Sequence, residues 1–200
     1  MRVRICLSVL ILLLFGARSQ AQTEYFPHGV FGDNPRVDHT ISDMYSSSLR
    51  ALDEPSFLAL SKTQKNQSYR FLYLRAFHYP LAIRIDFEAD GTSRITTKTM
   101  TGIGSDPDHH PLVQSETSPL TKQQTSRFSE EIERQKFWQL AAMDNSRRGL
   151  DGAEWIIEGA KDGNYHVVDR WSPENGPVRA ISLFMLQELA KVKIPPNEMY

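Results

Sequence analysis

The strongest constraint on the fold is an alternating segment, a turn and a second alternating segment in PLAIRIDFEADGTSRITTKTM. Apolar residues fill every second position of the first segment, which is typical of a half-buried β-strand. A three-residue loop ending at Gly91 would pair Ile85 with Ile95 and Asp86 with Arg94. This register keeps one face apolar and places opposite charges together. We therefore predict an antiparallel hairpin with a left-handed glycine.

The sequence AEWIIEGAKDGNYHVVDRW predicts a second hairpin over residues 153–171. A two-residue turn and a three-residue loop, 161–163, are both possible. The three-residue loop separates charged from apolar side chains better, so we prefer it. It pairs Glu158 with His166, Ile156 with Val168, and Glu154 with Arg170. The other face would then carry Trp155, Ile157, Tyr165, Val167, Asp169 and Trp171, with Asp169 opposite Trp155 as its only charge.

A central strand is expected at residues 69–77, which are apolar or aromatic on both faces apart from Arg70 and Arg75. Helices are predicted at residues 121–136 and 177–191, and an N-terminal helix is expected to be capped by Thr40. Residues 101–118 are expected to form a long polar loop. Together these patterns predict the α+β class: an antiparallel sheet of about five strands in two hairpin units, packed against two to three helices.

The N-terminal residues 1–21 have the positive start, apolar run and small residues of a secretory signal peptide, with a cut before Gln22. Residues 22–37 are predicted to be an extended lead-in, and residues 38–200 one α+β domain. We expect an exported protein, in the periplasm or outside the cell. The apolar run is short for a bilayer span, so we expect no stable membrane span after cleavage.

Composition narrows the function classes. Loss of residues 1–21 would remove three of the 23 Lys and Arg residues and none of the 24 Asp and Glu residues, which leaves a net charge of −4. A mildly acidic chain is a poor nucleic-acid binder, so no such partner is expected. The only cysteine, Cys6, lies in the predicted signal peptide. The remaining chain would therefore have no disulfide, thiolate metal site or cysteine nucleophile.

Asp169 is the centre of the predicted site, because it is a carboxylate among side chains that we expect to be buried. The candidate residues around it are Trp155, Tyr165, Arg170 and Trp171. An indole N–H, the Tyr165 hydroxyl or amides of the loop SPENG could donate to the carboxylate. Asp169 would then anchor that loop to the sheet. The alternative is a functional carboxylate at the rim of an aromatic pocket.

Other chemistry is sparse in this sequence. The loop DPDHH offers weak candidate metal ligands, Asp106, Asp108, His109 and His110, although a solvated polar loop is the favoured interpretation. His166 is expected to form a surface ion pair with Glu158. Nucleophile-elbow, phosphate-loop and dinucleotide-binding motifs are missing, so no catalytic residue and no cofactor are predicted.

Basic side chains are a further feature of the predicted sheet, where they either bind an anionic ligand or keep an exposed face soluble. They are Arg70, Arg75, Arg84, Arg94, Lys98 and Arg170.

Four blocks in order, EPSFLAL, YRFLYLRAFHYPLAIRI, TTKTMTG and GLDGAEWIIEGAKDGNYHVVDRWSPENGPVR, resemble a family of uncharacterised exported bacterial proteins. That family has YRFLWLR-like, LDGxxW and RWSP blocks, and the resemblance covers about residues 50–190. It implies a bacterial origin and one coherent domain, and it supplies no catalytic residues because the family has no assigned activity. The segment GIGSDPDHHP departs from the glycine-rich segment of the family.

These observations favour a non-enzymatic binding or interaction module that takes an unknown protein or small ligand. A hydrolase with an Asp169-centred or metal-assisted site is the alternative, and an inhibitor or chaperone-like envelope protein is a third hypothesis. An enzyme would need a concave pocket in which Asp169 meets a histidine or an ion.

Overall fold

A computed structural model describes residues 23–63, 67–101, 112–144, 149 and 151–200. The predicted signal peptide and the DPDHH loop lie outside these residues. The helices are α1 Pro35–Ala51, α2 Phe57–Thr63, α3 Lys122–Arg134 and α4 Pro177–Leu183, which continues as a π-helix, Phe184–Leu189; short 3-10 helices span Phe137–Gln139 and Pro196–Glu198. The strands are β1 Gln67–Arg75, β2 Leu81–Phe87, β3 Ser93–Thr101, β4 Leu112–Leu120, β5 Ala153–Lys161 and β6 Asn164–Trp171.

The six strands form one antiparallel sheet in the order β4-β3-β2-β1-β5-β6, which confirms the α+β class. Strand β4 is the strand missing from the expectation of about five, because its residues were predicted to be loop. Almost all of β4 is exposed, so its sequence LVQSETSPL needs no apolar alternation. Its pairing with β3, and a 3.0 Å contact between the hydroxyls of Thr96 and Thr117, make it a strand.

The first hairpin has the predicted register, with Ile85 opposite Ile95 and Asp86 opposite Arg94. Gly91 has a φ of 82°, the left-handed conformation that its position in the loop requires. The charge pairing differs in detail, because Arg94 binds Glu88 within the same hairpin. The backbone pattern was therefore predictable here even where the side-chain partner was not.

The predicted register of the second hairpin is wrong. A two-residue turn, Asp162-Gly163, brings Lys161 opposite Asn164 and Ile156 opposite Asp169. Asp162 and Gly163 have φ values of 52° and 84°, the paired left-handed conformations of a type I′ turn. Consequently β6 is shifted by one residue against β5 relative to the prediction, and its side chains lie on the opposite face relative to those of β5.

Both faces of the sheet are covered, except at the exposed edge strand β4. On one face, the α3/α4 face, β1 to β3, β5 and β6 contribute aromatic and aliphatic side chains that pack against α3, α4 and the π-helix. On the other, the α1 face, residues 25–31 and α1 pack against Leu72, Ala82, Ile156 and Val167. The expected helix start at Thr40 is wrong, because the Asn34 side chain caps the helix and Pro35 opens it. The predicted capping box of Thr121 and Gln124 is present.

Within the described ranges, no helix combines the length and apolar character that a membrane crossing requires.

Candidate functional site

Asp169 is buried, with 2% of its surface exposed, but it lies on the α1 face rather than opposite Trp155. The hydroxyl of Tyr45 in α1 donates to its Oδ2 at 2.9 Å. Its own backbone N–H donates to the carbonyl of Ala142 at 2.7 Å. The Asp169 carboxylate therefore fastens α1 to the sheet, and Tyr45 is a partner that the sequence prediction missed.

The other four predicted site residues are separated by the sheet. Trp155 is fully buried on the α3/α4 face, and its indole N–H donates to the main-chain oxygen of Tyr200 at 3.0 Å. Tyr165 lies on the α1 face and donates to Glu158 Oε1 at 3.0 Å. Arg170 and Trp171 are at the end of β6, where they line an open cleft. The five residues do not form one site.

The Trp171 ring packs on Gly152, just before β5. This contact brings together the LDGxxW and RWSP blocks of the sequence. A methyl carbon placed on Gly152 would lie 2.5 Å from Trp171 Cζ2 and 2.6 Å from Ser172 Oγ, so only glycine fits beneath the ring. Ser172 Oγ in turn accepts the N–H of Ala153 at 2.9 Å. Gly152 of the LDG block and Trp171 and Ser172 of the RWSP block thus form one packing unit that holds the indole at the edge of the sheet.

The Trp171 cleft, as we name it, is an open cavity of about 470 Å³ at this edge. Its lining consists of Leu140, Asp144, Arg170, Trp171 and residues 173–178. Charges of both signs and apolar groups therefore face the same space. This combination suits a small ligand that has both an apolar surface and polar groups.

The guanidinium of Arg170 is largely occupied by hydrogen bonds to backbone carbonyls, so its main role in the cleft is structural. Its guanidinium donates to the carbonyls of Ala141 at 2.9 Å, Ala142 at 3.3 Å and Asp169 at 2.6 Å. Burial lowers the pKa of Arg170 from its ordinary value, although Asp144 and Asp169 act in the opposite direction. The loop around residues 141–144 is therefore tied to β6 by this side chain and by the backbone N–H of Asp169.

An internal ionic network on the α1 face was also missed by the sequence prediction. Arg70 is fully buried and donates to Glu158 Oε2 from Nε at 2.9 Å and from Nη2 at 2.5 Å. Its Nη1 donates to the carbonyl of Pro55 at 2.7 Å and to Glu54 Oε2 at 3.3 Å. Burial works to lower the pKa of Arg70, but Glu158 and Glu54 together raise it above its ordinary value.

The network extends from Glu54 towards the surface. Glu54 Oε2 also accepts from Arg84 Nε at 3.0 Å, and Lys98 Nζ lies 3.3 Å from Glu54 Oε1. Burial, together with the negative charge of Glu158, raises the pKa of Tyr165 well above its ordinary value, so its hydroxyl remains a donor. Three of the basic residues considered for an anionic ligand are therefore already neutralised by carboxylates of the chain itself.

The only sign of this network in the sequence is that single charged residues interrupt apolar segments. Arg70 interrupts the apolar run from Tyr69 to Leu74, and Glu158 follows two isoleucines. Glu158 was predicted to be a surface partner of His166, and that prediction is wrong, because the two lie on opposite faces. His166 contacts the rings of Phe137 and Trp138, and burial lowers its pKa.

The metal hypothesis rests on Asp106, Asp108, His109 and His110, which lie outside the described residues. Among the residues that the structure does describe, no three His, Cys, Asp or Glu side chains converge as metal ligands.

The chain was also compared with known proteins. No family model matches it, and no curated protein sequence matches it significantly, so the resemblance to exported bacterial proteins stays a prediction.

Proposed function

We propose that the chain is an exported, non-enzymatic binding module that takes a small ligand in the Trp171 cleft. The observation that carries this proposal is the cleft itself, an open cavity of about 470 Å³ with an indole, a guanidinium and carboxylates on its walls. Its volume falls within the range of about 300–1,000 Å³ that is usual for small-molecule sites. The signal-like pattern of residues 1–21 supports export.

The construction of the cleft supports binding. Trp171 is supported by Gly152 beneath its ring, and Arg170 holds the neighbouring loop through the carbonyls of Ala141 and Ala142. A wall that is held in place before the ligand arrives loses little conformational entropy on binding. The cleft is therefore suited to a compact ligand more than to a large flexible one.

The position of Asp169 favours binding over the alternative hydrolase. The carboxylate is buried beneath α1, where Tyr45 donates to it, and it is not part of the cleft wall. His166, three residues earlier, lies on the other face of the sheet. A general base needs to reach the substrate proton within hydrogen-bond distance, and Asp169 has no such approach from the cleft.

A thermal-shift screen tests the proposal. The purified chain would be heated with amino acids, short peptides, monosaccharides and disaccharides, and we expect at least one class to raise the melting temperature. Asn175→Trp would fill the cleft from its exposed rim, and should abolish that shift. Asn164→Trp, at the exposed start of β6, is the matched control and should keep it. A shift that survives Asn175→Trp would overturn the assignment of the cleft.

A further inference from the structure

Strand β4 is an open edge of the sheet, and its residues 112–119 are all exposed. The opposite edge, β6, is partly covered by residues 141–142, whose carbonyls accept from Asp169 and Arg170. Sheet edges that are left open are usually short or rich in charge, because they otherwise pair with another chain. β4 has nine residues and a single charged side chain, Glu116, so it is neither.

The hydrogen bonds of the first hairpin show which backbone groups of β4 are free. The N–H of Glu88 donates to the carbonyl of Thr92 at 2.8 Å, and hydrogen-bonded pairs alternate with non-bonded pairs along antiparallel strands. Every second residue of β3, beginning with Ser93, therefore directs its N–H and C=O towards β4. Their partners in β4 are the even-numbered residues, so the odd-numbered residues direct these groups away from the sheet: Val113, Ser115, Thr117 and Pro119.

A second copy of β4 can pair antiparallel with these free groups. A two-fold axis through Ser115 places this residue opposite itself and Val113 opposite Thr117. Each such pair exchanges two N–H···O=C bonds, so all three free N–H groups find acceptors. The pairing ends at Pro119, which has no N–H to donate.

The side chains favour this register over its neighbours. With the axis through Ser115, Glu116 lies opposite Gln114, whose amide can donate to the carboxylate. An axis through Glu116 would place the two carboxylates directly opposite each other, which is unfavourable. An axis through Gln114 would leave Thr117 without a partner inside β4. The edge is therefore complementary to itself in one register.

The covering elements leave room for the second copy. Side chains of a strand alternate between the two faces, and residues 112–119 are all exposed, so the described helices and loops stop short of β4 on both faces. Leu112 and Val113 are 72% and 39% exposed. Pairing would place them beside Ser118 and Thr117 of the second copy and cover part of this apolar surface.

We propose that β4 is an interface with a second copy of this chain, in which the two strands pair antiparallel about a two-fold axis at Ser115. The two sheets then become continuous. One strand pair is a small interface, so the dimer is weak and reversible. The Trp171 cleft lies by β6, the other edge of the sheet, so pairing leaves both clefts open.

Sedimentation velocity of the full chain, from micromolar to millimolar concentration, tests the interface. We expect the parent to shift from monomer to dimer over this range. Ser115→Pro removes the central free N–H but no bond to β3, and should stay monomeric, whereas Ser115→Thr is the matched control and should dimerise as the parent does. A parent that stays monomeric throughout, or a Ser115→Pro variant that dimerises equally, would overturn the proposal.

Two charge variants test the register and do not depend on whether Ser115→Pro folds. Gln114→Lys should tighten the dimer several-fold, because each new lysine lies opposite Glu116 of the other copy. Gln114→Glu should weaken it by a similar factor. Ser118→Glu, on the same face but opposite Leu112, is the matched control and should have a smaller effect. Equal dissociation constants for Gln114→Lys and Gln114→Glu would contradict the register.

A single cysteine reads the two-fold axis directly. With Cys6→Ser the chain has no other thiol. Ser115→Cys should then give a disulfide-linked dimer under mild oxidation, because self-opposed residues have Cα atoms about 5.5 Å apart. Thr117→Cys is the matched control, since it would lie about 14 Å from its counterpart and should remain unlinked. Equal linking of both variants would overturn the register, and linking of neither would overturn the interface.

Discussion

Replacement of Glu158 by glutamine should strongly destabilise the protein. Glu158 is fully buried, and its two carboxylate oxygens accept two bonds from Arg70 and one from Tyr165. Glutamine has one acceptor oxygen, so its amide N–H₂ would face either the guanidinium, which only donates, or Tyr165, whose hydroxyl would have to change from donor to acceptor. In both cases the negative charge of Glu158 that neutralises Arg70 is lost. Arg70 would keep only Glu54 and the Pro55 carbonyl.

The expected size follows from this geometry. Removal of one partner of a buried ion pair costs about 3–5 kcal/mol, because the other charge stays buried. Domains are stable by about 5–15 kcal/mol, so the variant would lose a large share of the total. If the free energy of unfolding falls by about 2 kcal/mol per molar urea (the m-value), the urea concentration at the unfolding midpoint should fall by about 2 M.

Urea unfolding followed by circular dichroism measures this change. Glu130→Gln, an exposed glutamate on α3, is the matched control and should leave the midpoint almost unchanged. Arg70→Met combined with Glu158→Leu should be less damaging than Glu158→Gln alone, since no unpaired charge remains from this pair. A loss below about 1 kcal/mol in Glu158→Gln would refute the reasoning, because that is the size of an ordinary surface ion pair.

Three further predictions test single contacts. Gly152→Ala should cost about 1–3 kcal/mol in urea unfolding, because the new methyl overlaps the Trp171 ring, and the cost should shrink when Trp171→Ala is made as well. Tyr45→Phe should cost about 1–3 kcal/mol in the same assay, because the buried Asp169 carboxylate loses a donor. Burial lowers the pKa of His166 below its ordinary value of 6.5, so the unfolded chain binds the proton more readily than the folded protein does. The contribution of His166 to stability is therefore full above pH 6.5 and falls as the pH drops towards the pKa of the folded state. His166→Gln should flatten this pH dependence of the melting temperature.

The controls for the Tyr45 and His166 predictions are a tyrosine and a histidine elsewhere in the chain. Tyr79→Phe should leave stability nearly unchanged, whereas an equal loss there would show that any phenol matters. His28→Gln, which replaces an exposed imidazole, should keep the pH dependence of the parent. A Gly152→Ala variant that is as stable as the parent would contradict the close packing of Trp171.

The candidate site was only partly predictable. Asp169 was expected to be buried and is, but its partner Tyr45 lies 124 positions away in the chain. Pairing across that distance is decided when α1 docks on the sheet, and no local pattern records it. Trp171 and Arg170 were named as candidates, and they do line the cleft, whereas Trp155 and Tyr165 belong to other contacts.

The two hairpins show where sequence reasoning stops. Both have an Asp-Gly turn, and the same rule, to separate charged from apolar side chains, was applied to each. It succeeded for Ile85 and Ile95, where the charged face is partly open to solvent. It failed for β5 and β6, because Glu158 faces the interior and is neutralised there by Arg70.

The sequence by itself determined the α+β class, the first hairpin, the capping box at Thr121 and the helix opened by Pro177. These features depend on alternation, turn residues and caps, which act over a few positions. Tertiary structure alone decided the register of the second hairpin, the existence of the exposed strand β4 and the burial of the Arg70 network. Each of these depends on which segments cover which face, and a charge is stable inside only where a distant partner meets it.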